Sequence, residues 1–303
     1  MSDHPLPMEK HPCYNAKAKG QFGRIHLPVA PKCNIQCNYC SRKTDCVNES
    51  RPGVTSKVLT PVQAVDYLLK VLAVEPRIST VGIAGPGDPF ANADATLLTC
   101  QLIRDVAPEM LLCLSTNGLG LDESVLSEIV RIGVSHMTLT VNAVDPVIGA
   151  RMYSWMRDED RTLHGLEAAQ LLLDRQMDAI VGLKGRGVQV KVNTVVVPGV
   201  NDAHVGRIAR MVAALGADVH NLIAMTPVAG TPFQGIREPG PKEMMAARRL
   251  SSPYMEQMTH CSRCRADAVG LLGEDRSAEF SSCLAACAAK PASGARAEAA
   301  LAA

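Results

Sequence analysis

Excess charge of either sign is missing from this 303-residue chain: 31 Lys and Arg face 30 Asp and Glu, for a formal net charge of +1. That balance excludes the broad basic or acidic surface by which proteins hold nucleic acid or a membrane face non-specifically. No window approaches eighteen consecutive apolar residues, so no membrane-spanning helix is expected. The opening MSDHPLPMEK carries no apolar run that could serve as a secretory leader, and there is no internal repeat. The expected location is therefore cytoplasmic, where stable disulfides are rare. Against these absences stand eleven cysteines, five of them between Cys13 and Cys46. Clustered thiols in a reducing compartment point to metal binding or redox chemistry. The hydrophobic content of 47% is ample for a large core.

Strand-like segments alternate with helix-like ones. The candidate strands are 24–31, 80–85, 111–117, 136–142, 188–197 and 218–225. Helix-start signals stand at Thr60-Pro61, Asn92, Asp122 and Asn201-Asp202. Such alternation predicts an α/β fold with a parallel sheet built from βα units, a partial or complete (β/α) barrel over residues 24–230. An N-terminal extension (1–23) precedes it and a C-terminal extension (231–282) with a Cys-x2-Cys pair follows. From about Leu284 the chain is Ala-rich without a core pattern, so 283–303 is expected to be a mobile tail.

Buried parallel strands normally read as unbroken apolar runs, yet here one face of several strands is polar. His26 opposes Ile25 and Leu27, while Cys113, Ser115 and Asn117 oppose Leu112 and Leu114. His136, Thr138, Thr140 and Asn142 alternate with Met137, Leu139 and Val141, and Gln189, Lys191 and Asn193 alternate with Val190 and Val192. With a side-chain period of two, each polar set shares one face. Packed under helices by the apolar faces, the sheet would turn the polar faces into a lumen that is a site rather than a filled core. The competing reading is an amphipathic sheet with one solvated face.

Cys33-x3-Cys37-x2-Cys40 follows directly on the first strand. Three thiolates in one loop can hold three irons of a cubane cluster and leave the fourth open, whereas structural zinc wants four closed ligands. This loop in this strand context resembles the radical S-adenosylmethionine (SAM) superfamily, as does the aromatic Tyr39 before the third cysteine. The resemblance implies a 4Fe-4S cluster whose open iron binds SAM and cleaves it reductively to a 5′-deoxyadenosyl radical. It further implies SAM contacts from the glycine-rich turn Gly85-Pro-Gly87-Asp88, and from Ser115, Asn117, Thr140, Asn142, Asn193 and Val195 at later strand ends. The superfamily more often carries Gly-Gly-Glu where this chain has Gly-Pro-Gly-Asp.

The flanks narrow the resemblance. His11-Pro-Cys13-Tyr-Asn, the run through Cys40-Ser-Arg-Lys, and Asp45-Cys46-Val-Asn-Glu49-Ser-Arg51-Pro-Gly together resemble the NifB family of nitrogenase cofactor biosynthesis, in a stand-alone form without a NifX-like domain. This resemblance implies that two 4Fe-4S precursor clusters become an eight-iron, carbide-centred precursor of the iron–molybdenum cofactor, the carbon coming from a SAM methyl. It assigns His26, Cys46 and Cys113 to one precursor, and Cys13, Cys261 and Cys264 to the other. It also implies as partners the NifEN scaffold, a NifX-like carrier and an electron donor such as ferredoxin or flavodoxin. Glu49 as proton acceptor and Arg51 as anchor for the SAM carboxylate are the functional reading of the loop after Cys46; a surface ion pair is the plain one. Cys100 reads as a small core residue, and Cys283 and Cys287 as incidental. Another radical SAM enzyme with auxiliary clusters, or a non-enzymatic iron–sulfur scaffold, are the alternatives.

Overall fold

The structure is a computed structural model that describes residues 6–48, 53–55 and 57–291. Its centre is a nine-stranded sheet. The strands in chain order are β1 (Gly23–His26), β2 (Ile35–Cys37), β3 (Ile78–Ile83), β4 (Leu111–Thr116), β5 (His136–Thr140), β6 (Tyr153–Asp158), β7 (Arg161–Leu163), β8 (Gln189–Val196), β9 (Val219–Ala224), β10 (Glu256–Gln257), β11 (Val269–Leu271) and β12 (Glu274–Asp275). The helices are α1 (Pro61–Val74), α2 (Ala93–Val106), α3 (Glu123–Ile132), α4 (Pro146–Met152), α5 (Gly165–Gly185), α6 (Val205–Ala214), α7 (Pro241–Ser251) and α8 (Ser277–Ala288). Strands β1, β3, β4, β5, β8 and β9 run parallel in that order, each of the six beginning within two residues of a predicted strand.

The barrel is partial. At one edge β10 continues the parallel order beside β9; at the other, β11 lies antiparallel to β1 and carries β12 outside it. Residues 258–268 therefore join the two edges, and they carry Cys261 and Cys264. The apolar strand faces, including Ile25, Val81, Leu112, Met137 and Val190, pack with the helices in one cluster. Their polar neighbours are thereby turned inward, which decides against a solvated sheet face.

Local chemistry explains most helix starts. Thr60 and Gln63 form a reciprocal capping box before Pro61, and Asp122 accepts from Val125 N–H at the start of α3. The expected start at Asn201-Asp202 differs: a short 3₁₀ turn spans Asp202–His204 and α6 begins at Val205. Asn201 is occupied elsewhere, donating through Nδ2 to Asn142 O and Val195 O and accepting from Val197 N–H. The first part of the expected mobile tail needs correction, because α8 runs to Ala288 and buries Leu284 and Cys287 against the core; residues 292–303 of that stretch lie outside the described residues. An Ala-rich helix needs few large residues to dock, and Phe280, Leu284 and Cys287 recur at helical spacing on one face. Cys283 packs partly against the same cluster and Cys100 lies within it. Elements not anticipated fill residues 146–185, among them the β6–β7 hairpin, which forms a second sheet with β2.

Candidate active site

The cysteine loop sits at the C-terminal ends of the strands, held by the small sheet. Ile35, Gln36 and Cys37 pair with Met156, Trp155 and Tyr153. Asn38 N–H donates to Met152 O at 2.9 Å, and Arg157 N–H to Asn34 O at 2.7 Å. Inside the loop the Gln36 amide donates to Cys37 O (3.0 Å) and Cys40 O (2.6 Å). The glycine-rich turn buttresses the other side: Gly87 N–H donates to Ala30 O at 2.6 Å and Asp88 N–H to Lys32 O at 2.8 Å. A Cβ on residue 87 would lie 2.0 Å from Lys32 O, and Gly85 has φ +144°, so both positions require glycine.

The fit of this loop to a cluster can be judged from its own chemistry. Cys33, Cys37 and Cys40 are unbridged thiols. Burial pushes Cys33 up to about 12. It also pushes Cys37 well above the usual thiol range, with Cys40 and Cys33 adding to the effect. A cationic centre reverses this shift by taking the thiols up as thiolates. Among the described residues no three His, Cys, Asp or Glu side chains converge on a single-ion site. The donor set suits a multi-iron cluster, in which each thiolate has its own iron.

The rim residues expected as SAM contacts are largely bonded to one another. Tyr39, 1% exposed, donates from its hydroxyl to Asn48 Oδ1 at 2.6 Å. Asn142 Nδ2 donates to the hydroxyls of Tyr39 (2.7 Å) and Tyr153 (3.2 Å), and its Oδ1 accepts from Val195 N–H. Asn193 Nδ2 donates to Asn48 O, and its Oδ1 accepts from Asn221 Nδ2. The Asp88 carboxylate, which burial pushes above the usual range, accepts from Phe90 N–H, Thr116 Oγ1 and Asn117 N–H. Asn117 bridges Asn34 Oδ1 and Leu119 N–H, and the Thr140 carbonyl accepts from Gln176. Val195 is buried among apolar neighbours of the loop. The structure thus gives the side chains of Asp88, Asn117 and Asn142 the geometry of positioning groups. Glu49 and Arg51 lie outside the described residues.

Below this rim a small cavity of about 40 Å³ is lined by Cys13, His26, Cys113, Cys261 and Cys264, with His11, Ser115 and Thr138 among their neighbours. Cys46 is not on its wall; burial raises its thiol, and Cys40, Cys33 and Cys37 are the next influences, which places it beside the SAM loop. His26 and Cys113 line this cavity together with Cys13, Cys261 and Cys264. His26 Nδ1 lies 2.8 Å from Arg265 O. A carbonyl only accepts, so Nδ1 carries the proton and Nε2 keeps its lone pair, the usual preparation of a metal-ligating imidazole. Burial, followed by the charge of Arg24, holds this ring down at about 4, so it stays neutral. Gly82 is the parallel partner of His26, and a Cβ there would fall 2.6 Å from the ring.

The N-terminal extension closes the floor. Tyr14 donates to Met137 O at 2.7 Å and accepts from Lys191 N–H at 3.0 Å. The rings of His11, Tyr14 and His136 pack at centroid separations of 4.2–4.7 Å. Sequence reasoning missed this ring cluster, the Gln36 and Asn48 braces, Gly82 and Arg24. Two of these had a periodic signal: His136 on the polar face of its strand, and Arg24, two residues before His26 on the same strand face.

A cysteine loop at the mouth of a partial (β/α) barrel defines a radical SAM protein, and the Radical SAM superfamily model matches residues 27–212. The fold agrees with that of SuiB from Streptococcus suis at TM-score 0.55 and 13% identity, over 78% of this chain and 49% of that one. The SAM-bound form of that protein matches at the same TM-score, with 14% identity. Within the superfamily, the chain is 50% identical over 286 residues to the FeMo cofactor biosynthesis protein NifB of Chlorobaculum tepidum, covering 94% of this chain and 67% of that one. It is 47% identical over 283 residues to NifB of Klebsiella pneumoniae, covering 91% and 60%. The chain belongs to the NifB family. It spans between about half and two thirds of the length of these curated relatives. Among the described residues no helix is long and apolar enough to cross a membrane.

Proposed function

We propose that this chain is a radical SAM enzyme that joins two 4Fe-4S clusters and inserts a SAM-derived carbide, making the eight-iron precursor of the iron–molybdenum cofactor. One observation supports the reading: a three-thiol loop lies at the rim and, below it, one cavity gathers four more thiols with two imidazoles, those of His11 and His26. A radical SAM enzyme acting on an organic substrate has no need of so many soft ligands in its substrate chamber.

When bound, the cluster on Cys33, Cys37 and Cys40 supplies the electron that cleaves SAM to methionine and a 5′-deoxyadenosyl radical. The protein's share is positioning. Gln36, Tyr39, Asn48 and Asn142 fix the loop, and Asp88 ties the glycine-rich turn to the end of β4. Backbone groups of that turn and the rim residues Thr140, Asn193 and Val195 border the space for SAM, with Ser115 below them in the cavity wall. The two precursor clusters are substrates. Cys13, Cys261 and Cys264 hold one on the floor, while His26 and Cys113, reached from above by Cys46, hold the other nearer the SAM loop. One SAM methylates a sulfide of a precursor without a radical; the radical from a second SAM abstracts hydrogen from that methyl. Glu49 accepts a proton and Arg51 anchors the SAM carboxylate. Ferredoxin or flavodoxin supplies electrons in the cytoplasm, and a NifX-like carrier and the NifEN scaffold receive the product.

Anaerobic reconstitution with iron, sulfide, SAM and dithionite tests the proposal. About twelve irons per chain, three clusters of four, with 5′-deoxyadenosine and an eight-iron product, are expected. About four irons with 5′-deoxyadenosine moves the chain to another radical SAM chemistry, and no 5′-deoxyadenosine leaves only a scaffold.

A further inference from the structure

Two imidazoles line the lumen cavity, and the ligand assignments use only that of His26. The other, His11, is 1% exposed and stands two residues before Cys13. Its ring is fixed from three directions. Cys13 N–H donates to His11 Nδ1 at 3.1 Å, the Tyr14 ring packs edge-on at 4.7 Å, and the His136 ring lies at 4.2 Å. The main chain is turned to allow this, with Tyr14 N–H and Asn15 N–H both donating to His11 O, at 3.2 and 3.0 Å. A ring nitrogen that accepts from a backbone N–H carries no proton, so the proton of His11 is on Nε2. That Nε2 is buried and has no hydrogen-bond partner. The two imidazoles are therefore set in opposite senses by the backbone. His26 gives its Nδ1 proton to Arg265 O and keeps a lone pair at Nε2, while His11 takes a proton contact at Nδ1 and keeps an N–H at Nε2.

A buried donor without an acceptor costs free energy, and such a group in the wall of a binding cavity marks where a guest supplies the missing partner. We infer that His11 Nε2–H donates a hydrogen bond to a sulfide of the precursor cluster held by Cys13, Cys261 and Cys264. The choice of cluster follows from the packing, because Cys13, Cys261 and Cys264 gather beside Met258 and Leu272, and His11 is bonded to the Cys13 backbone itself. The inference rests on the proposed function, which supplies the cluster. Iron ligation by His11 is a different matter: it would need the proton on Nδ1, where it would face Cys13 N–H donor against donor. One imidazole of the lumen is thus built to bind iron and the other to bind sulfide. A hydrogen bond to a cluster sulfide favours the more negative, reduced state and so raises the potential of that cluster. It also fixes how the cubane is turned on its three thiolates.

The test compares wild type with His11→Asn and His11→Gln after anaerobic reconstitution with iron and sulfide. The Asn side chain can accept from the N–H two residues on, as in an Asx turn, so it keeps the Cys13 contact and removes the donor. The Gln side chain reaches further and returns an N–H. The readouts are EPR-monitored redox titration and pulsed EPR of the reduced clusters in H2O and D2O, with 15N-labelled histidine. The SAM-loop cluster, recognised by its spectral change on SAM addition, is the internal reference. Wild type is expected to show an exchangeable proton coupled to a lumen cluster. His11→Asn should lose that coupling and move the cluster to more negative potential, and His11→Gln should return both toward wild type with the reference unchanged. The directly bound nitrogen of His26 should persist in all three. The same potential and the same proton coupling in wild type and His11→Asn overturn the donor, and so does loss of a directly bound nitrogen in that variant, which would make His11 a ligand. If thermal unfolding shows the variants to be misfolded, wild type alone decides, since a lumen cluster without an exchangeable coupled proton overturns the inference. Wild type that loads only the SAM-loop cluster overturns the proposed function and the donor with it, a different result from the others.

Discussion

At the rim, Asp88, Asn117, Asn142 and Asn193 direct their side-chain atoms to one another, to Tyr39 and Asn48, and to strand-end backbone. Below them, Cys13, Cys113, Cys261 and Cys264 stand with His11 and His26 around the cavity. Both regions draw on alternating strand positions, yet in one the polar groups bond to each other and in the other thiols and imidazoles gather round a space. A buried polar group bonded within the protein holds geometry, while soft ligands and charge gathered round a space mark where something binds. Polarity on a strand face does not by itself separate the two.

The comparison breaks most visibly at the cysteines. Cys37→Ala should abolish 5′-deoxyadenosine formation by removing a rim thiolate. Cys113→Ala should leave SAM cleavage running without any eight-iron product. Product analysis with 5′-deoxyadenosine quantitation checks the pair, and equal product from either variant removes the division of labour between rim and lumen.

A smaller effect is expected inside the rim network. Asn142→Ala strips the hydroxyls of Tyr39 and Tyr153 and the Val195 N–H of one shared partner. It should destabilise the protein by about 3 kcal/mol, the upper end for a buried group left unsatisfied, as read by denaturant unfolding. If Asn142 instead only touched SAM, the apo protein would keep its stability and the KM for SAM alone would rise. The smallest effect is expected at Gly82→Ala. The added methyl collides with His26 and should cost about 1–2 kcal/mol by overpacking, while lowering lumen iron content and sparing the SAM-loop cluster.

Much of the fold was legible because strand and helix periods leave direct marks. The six parallel strands and three of four helix starts follow from alternation and capping residues. The inward polar face was legible for the same reason, since period two allows only one assignment once the apolar face meets the helices. What escaped was non-local. The β6–β7 clamp on the cysteine loop depends on pairing between residues more than a hundred positions apart, and no local signal announces it. Asn201 resembled a helix cap but is drawn into the ends of β5 and β8. The Ala-rich stretch from Leu284 looked featureless because its few core contacts require α1 and the sheet to be in place.

The sequence by itself determined the family resemblance, the three-thiol loop and which strand residues share a polar face, because spacing within a loop and strand parity are local properties that survive without coordinates. Only the tertiary structure decided which polar residues are braces and which face the lumen. It also decided that Cys46 stands with the SAM loop while His26 and Cys113 share a chamber with Cys13, Cys261 and Cys264. The physical reason is that a partial barrel leaves its sheet open, and residues 258–268 must span from β10 to β11 to join its edges. That crossing brings cysteines from the far end of the chain to the wall where β1 places His26, a meeting that no periodicity along the chain encodes.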